Sequence, residues 1–148
     1  MVPEPTAVPA ESRARVAAAR VARLATVRSD GRPHLVPVTF ALVGDHVVSA
    51  VDEKPKRTQD LQRLRNIAAT PQVSLLVDAY SEDWSQLWWV RLDGSAEIVA
   101  DGPRRTELVQ ALVEKYPQYQ AAPPPGPVIV MAVERHTAWS AHHERGSA

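Results

Sequence analysis

One change of period constrains this chain more than any other feature. Val21–Val27, Pro33–Val43 and His46–Val51 are rich in residues that suit a strand, and in the second of them the faces alternate at every position. From Gln59 to Ala69 the apolar residues Leu61, Leu64, Ile67 and Ala68 recur at helical spacing, and from Gln72 to Asp78 the run Val73, Leu75, Leu76, Val77 is strand-like again. A helix set once among strands, and not after each of them, does not build a βαβ sheet.

The local signals fill in the order. Arg28-Ser29-Asp30-Gly31-Arg32 supplies an Asp-Gly turn between the first two strands, and Gly44-Asp45 a second turn before His46. Three antiparallel strands in a meander are expected there. In the second strand His34, Val36, Val38, Phe40 and Leu42 share one face, while Leu35, Pro37, Thr39 and Ala41 share the other. Pro37 has no N–H to give a ladder, so it belongs at an edge or against a ligand. Thr58 is placed to cap the helix that follows, and Pro71 to close it. The strand Gln72–Asp78 reads as central in the sheet and buried on nearly both sides. Gln86–Ala100 is either one long bent strand or a hairpin turning at Asp93-Gly94, and the residues leave both open. Pro103 opens an amphipathic helix with Leu108, Leu112 and Tyr116 on one stripe, ended by Pro117; residues 117–127 read as a loop and Val128–Val133 as a last strand. The Pro-rich residues 1–9 are expected to be disordered, a short helix to follow over Glu11–Ala19, residues 10–140 to form one domain, and residues 141–148 a polar tail. About six or seven mainly antiparallel strands with two or three helices in non-alternating order predict an α+β β-barrel.

Composition excludes several functions. Among 148 residues, 17 basic and 17 acidic side chains leave no net charge, so no global positive field draws nucleic acid. There is no cysteine, hence no disulfide, thiolate metal site or cysteine nucleophile. The first ten residues lack the apolar core of a secretory signal, and no apolar run reaches the roughly 20 residues of a membrane span. A soluble, cytoplasmic protein with no membrane or nucleic-acid partner is the expectation. His34, His46, His142 and His143 show no metal-ligand spacing, and Gly-x-Ser-x-Gly and glycine-rich phosphate motifs are missing.

Two clusters remain that can carry chemistry. Lys54, Lys56 and Arg57 stand just before a helix N-terminus, where the macrodipole is already positive, a placement that favours a bound anion held also by the Thr58 hydroxyl. The same spacing serves equally for an ordinary solvated loop. Trp84, Trp88 and Trp89 account for three of the four tryptophans; adjacent Trp88 and Trp89 must point to opposite faces of a strand, and Arg91 shares a face with Trp89. Core or subunit-interface roles compete there with a ligand platform.

In their order, Ala22-Arg23-Leu24-Ala25-Thr26-Val27, Asp30-Gly31-Arg32-Pro33-His34, Lys56-Arg57-Thr58 and Pro71-Gln72-Val73-Ser74-Leu75-Leu76-Val77-Asp78 resemble the pyridoxamine 5′-phosphate oxidase-like split β-barrel family. Lys54-Pro55-Lys56-Arg57-Thr58 and the stretch from Glu82 to Arg91 are similar to its actinobacterial branch that uses the deazaflavin coenzyme F420. The resemblance spans roughly Arg13 to Ala138. It implies a homodimer with cofactors in grooves between subunits, and phosphate held by Lys54, Lys56, Arg57 and Thr58, the order of the Lys56 and Arg57 cations being swapped relative to the family. It also implies a ring system lined by Val36, Pro37, Val38 and Thr39 mainly through backbone groups, with Trp88, Trp89 and Arg91 shaping the groove. The C-terminal Arg and His pattern of the vitamin B6-forming oxidases is not matched by Trp139–Ala148. The expected function is therefore F420-dependent hydride transfer between the deazaflavin and a small conjugated organic substrate. FMN-dependent oxidation or flavin reduction, and non-catalytic F420 binding, are the alternatives.

Overall fold

The computed structural model describes residues 4–51 and 57–141, the side chains of residues 57–61 excepted. Its elements are α1 (Ala10–Ala18), β1 (Ala22–Val27), β2 (Pro33–Val38), β3 (Ala41–Val43), β4 (His46–Ala50), α2 (Arg57–Ala69), β5 (Gln72–Ala79), a 3₁₀ turn at Trp84–Gln86, β6 (Trp88–Val99), α3 (Gly102–Lys115), α4 (Pro117–Ala121) and β7 (Val128–Ser140). The strands pair antiparallel in one seven-stranded sheet of order β2-β1-β5-β6-β7-β4-β3.

That order decides the architecture. β2 and β3 lie at opposite ends of the sheet, yet only Thr39 and Phe40 separate them in sequence. Three consecutive Cα–Cα steps span only about 10–11 Å, so the sheet curls until its two ends meet. The result is an α+β split barrel. The expected three-strand meander is corrected here: the run Pro33–Val43 breaks at Thr39, β2 pairs with β1, and the β3–β4 hairpin belongs to the far edge, where β4 pairs with β7.

Inside the barrel, Leu24, Val38, Phe40, Val47, Val73, Leu75, Val77, Val90, Leu92 and Met131 form the main core, closed by Val16 of α1 and Ile67 of α2. α2 is further fixed by buried Asn66, whose Nδ2 donates to the Thr26 hydroxyl at 2.9 Å while its Oδ1 accepts from Gln62 at 2.6 Å. A second core lies on the outside of β3, β4 and the first half of β7, where Leu108, Val109, Leu112 and Tyr116 cover Ala41, Val48, Ala50, Val128 and Val130. β4 is therefore buried on both faces, Val47 in one core and Val48 in the other. β5 was expected to be the two-sided strand, but only Val73, Leu75 and Val77 are buried and Leu76 faces out.

The seam at Thr39-Phe40 is held by side chains. The Tyr116 hydroxyl accepts from the Phe40 N–H at 3.1 Å and lies 3.1 Å from the Phe40 carbonyl and 3.0 Å from that of Arg20. Fully buried Phe40 fills the core beneath, and the Lys115 ammonium sits 3.9 Å from the centroid of its ring. The Lys115 Nζ is buried and makes no hydrogen bond among the described residues. Burial, reinforced by the charge of Arg20, lowers its pKa to about 8.

Other elements depart from the sequence expectations for physical reasons. Residues 4–9, expected to be disordered, run against the sheet: the Thr6 N–H donates to the Val133 carbonyl at 2.6 Å, the Val8 N–H to Asp45 Oδ1 at 3.1 Å, and Val8 is buried. Arg13 bonds the same Asp45 carboxylate. Gln86–Ala100 forms no hairpin; β6 runs through Asp93-Gly94 with a bulge, and Gly94 is there because β7 comes close. A Cβ on Gly94 would stand 2.0 Å from the Ala132 carbonyl oxygen. Pro117, which ends α3, begins α4 inside the presumed loop, since a first helical turn needs no N–H from proline. β7 runs on to Ser140, although Glu134, Arg135 and Ala138 are exposed.

Two consequences can be measured. Gly94→Ala should destabilise the fold by about 3 kcal/mol in urea unfolding, because backbone on a central strand has to move; an unchanged midpoint would show that the close approach is not rigid. For Lys115 the folded chain disfavours the charged amine, so between about pH 8 and 10 the unfolded chain binds more protons and stability rises with pH. Melting temperatures across that window should climb for the wild type and stay flatter for Lys115→Met.

Candidate functional site

α3 covers only half of the barrel's outside. Over β2, β1, β5, β6 and the second half of β7, no helix among the described residues covers the outer face. Register places on that face Leu35 and Pro37 of β2, Arg23 and Ala25 of β1, Ser74, Leu76 and Asp78 of β5, Trp89, Arg91 and Asp93 of β6, and Thr137 and Trp139 of β7. Most of them line a groove of about 640 Å³, which Tyr80, Leu87 and Trp88 complete. Leu35 is 66% exposed and Leu76 37%, a clustering of apolar side chains that an uncovered surface seldom carries without a partner or ligand.

The charges on this face are answered within it. Arg23 lies 3.6 Å from Asp78, and Arg91 lies 3.2 Å from Asp93, which also accepts from the Ser74 hydroxyl at 2.6 Å. Arg91 reaches the Thr137 hydroxyl as well, at 3.4 Å. A groove whose cations are already paired suits a flat, weakly charged occupant lying on Trp89 and Leu76. As expected from their adjacency, the two tryptophans part company. Trp88 packs against the core under the Arg15 guanidinium, 5.1 Å from its centroid, and only borders the groove, whereas Trp89 lies on the outer face that forms its wall.

A smaller pocket of about 220 Å³ lies at the seam, lined by Val21, Pro37, Val38, Thr39, Ala50 and Arg63. Pro37, Val38 and Thr39 therefore do meet around one cavity, although the Val38 side chain itself is buried in the core. Val36 is half-buried and packs toward the core. Leu35 of the groove and Pro37 of the pocket are two residues apart on one strand face, so both cavities open along β2.

Lys54 and Lys56 lie outside the described residues, as do the side chains of Arg57 and Thr58. The chain leaves the pocket wall after Ala50 and is described again at Arg57, where the helix carrying Arg63 starts. Thr58 falls in the first turn of α2 instead of before it, which corrects its reading as the cap. Beside this region His34 has a buried Nδ1 without a partner among the described residues, and its pKa lies below the ordinary imidazole value through burial and then the charges of Arg28 and Arg63.

A third cavity, about 320 Å³, separates α1 from β7. There the Ser12 hydroxyl meets His136 Nε2 at 2.7 Å, close to Arg15. Among the described residues no three His, Asp or Glu side chains gather to hold a metal, and no helix is long and apolar enough to cross a membrane. Sequence reasoning passed over Leu35, Leu76 and Trp139; the signal was present in strand parity, which aligns each of them with Ala25, Arg23 or Trp89 once the register is known.

Comparison with known proteins places the fold. The family model described as pyridoxamine 5′-phosphate oxidase matches residues 8–140. Among solved structures, a conserved hypothetical protein of Mycobacterium tuberculosis superposes with a TM-score of 0.76 at 22% identity, over 97% of this chain and 90% of the other. A heme binding protein from Mycobacterium smegmatis gives 0.67 at 23% identity, over 94% and 62%. An FAD-binding protein from Mesorhizobium loti gives 0.63 at 22%, over 88% and 94%. No curated protein matches the chain.

Proposed function

The chain belongs to the pyridoxamine 5′-phosphate oxidase family, and from that premise we propose that it is an oxidoreductase binding a flavin-type cofactor, FMN before deazaflavin F420, along the outer face of β2. The observation that carries this reading is the groove walled by Trp89, Leu76 and Leu35, which runs beside the seam pocket at Pro37 and Thr39. Its apolar wall and internally paired charges fit a planar ring system. The cations Lys54, Lys56 and Arg57, which enter from sequence alone, fall in the chain between Ala50 and Arg63 of the pocket wall and would hold a phosphate. When bound, the cofactor supplies hydride chemistry; the protein's part is to bind, orient and keep water from the ring.

The same face supports a homodimer. Leu35 and Leu76 are exposed and Trp139 half-buried on a sheet surface that no described element of this chain covers, and a second copy placed there would turn the groove into an enclosed site. F420 is the second reading, resting on the likeness of the Lys54–Thr58 and Glu82–Arg91 segments to that branch; binding without turnover is the third.

Titration of the purified protein with FMN and F420 side by side tests the reading. The wild type should bind one of them with a spectral change, and Lys56→Ala/Arg57→Ala should weaken that binding by a few kcal/mol, at about 1.5–3 for each charge-assisted contact. Equal affinity in the double variant would remove these residues from the site. Separately, Leu35→Asp alters a residue that is 66% exposed, so the monomer should fold normally while light scattering reports loss of a dimer; an unaltered mass would assign the face to something other than self-association.

A further inference from the structure

We propose that Tyr119 is a positioning residue for the cofactor site, holding Thr39 so that the β2–β3 crossover presents a fixed wall to the part of the cofactor that enters the seam pocket. This rests on the reading above that a flavin-type cofactor lies along β2. The Tyr119 hydroxyl is 2.8 Å from the Thr39 hydroxyl, and the Ser49 hydroxyl donates to the Thr39 carbonyl at 2.9 Å. Thr39 is thus held at its side chain from α4 and at its backbone from β4, while it forms part of the wall of the seam pocket with Pro37 and Val38.

Two neighbouring tyrosines divide the work. Tyr116 is buried, and its hydroxyl meets both backbone polar groups of Phe40, which closes the barrel. Tyr119 stands against it edge-on, ring centroids 5.6 Å apart, on a helical turn that starts at Pro117. Closure at Phe40 is already secured by Tyr116, so the bond from Tyr119 to Thr39 is an addition to it. Without it the Thr39 hydroxyl is free to rotate about χ1 and to turn its oxygen toward the pocket. A wall of one shape becomes a wall of several, and a bound cofactor has to order it.

The test is a double-mutant cycle on the full chain, read by cofactor titration and by the absorption and fluorescence of the bound cofactor. Tyr119→Phe keeps the ring and removes only the hydroxyl. It should raise the Kd of whichever cofactor the wild type binds by about two- to tenfold, as expected for one hydrogen bond, and shift the bound spectrum. Thr39→Val should reproduce both effects, Thr39→Ser should restore them, and the Tyr119→Phe/Thr39→Val pair should add nothing further. If Tyr119→Phe and Thr39→Val lower the melting temperature yet leave Kd and spectrum at wild-type values, the bond is structural and the proposal falls alone. If the wild type binds neither FMN nor F420, the cofactor reading falls and takes the proposal with it.

Discussion

The two-residue crossover at Thr39-Phe40 is the constraint on which the molecule depends. A flat sheet of this strand order would hold its ends far beyond the reach of two residues, so curvature is forced by connectivity before any side chain is considered. The side chains then make that curvature stable. Phe40 fills the closing core, worth about 1.5–3 kcal/mol for a fully buried residue of its kind, and one tyrosine hydroxyl satisfies backbone groups that have no strand partner at the seam. Leaving such groups unmet would cost about 1–3 kcal/mol each, which explains why a polar residue is buried at the end of an otherwise apolar helix stripe.

Closure also sets where a ligand can go. The interior is filled by side chains from every strand, and the groove lies on the outside of the sheet. α3 takes the outside of β3, β4 and early β7, and the rest of the outer face is left with its apolar side chains open. The groove is thus a product of unequal coverage: one sheet, two faces, and no described helix over half of the outer one. Paired charges, from β1 to β5 at Arg23–Asp78 and along β6 at Arg91–Asp93, make that open surface tolerable in water without making it strongly hydrophilic.

Much of this was legible in the sequence. Asp30-Gly31 gave the first hairpin, with Gly31 at positive φ as its turn needs, and strand parity gave the inward set Val36, Val38, Phe40 and Leu42. The change of period located α2. Pairing between distant strands was not legible, because alternation says which face a residue occupies and nothing about which strand lies beside it. For this reason Pro33–Val43 read as one strand, although the break falls at residues with strand-like propensity. Asp93-Gly94 misled differently: the pair that signals a turn elsewhere serves here to let β7 approach. The split between Trp88 and Trp89 was readable from adjacency; the groove they border needed Leu76 and Trp139, which only the register brings to them.

The position of β4 carries a consequence for how the chain reaches this fold. β4 hydrogen-bonds only to β3, its hairpin partner, and to β7, whose residues lie about eighty positions later, as in Val48 against Val130. While the chain emerges from the ribosome, β1, β2, β5 and β6 can assemble in order, but the β3–β4 hairpin has no neighbour to join until β7 exists. It must wait with Val47 and Val48 exposed, and a contact of that separation is slow to form. An unpaired apolar edge held open for that interval is the point at which a chain of this topology is most prone to associate wrongly.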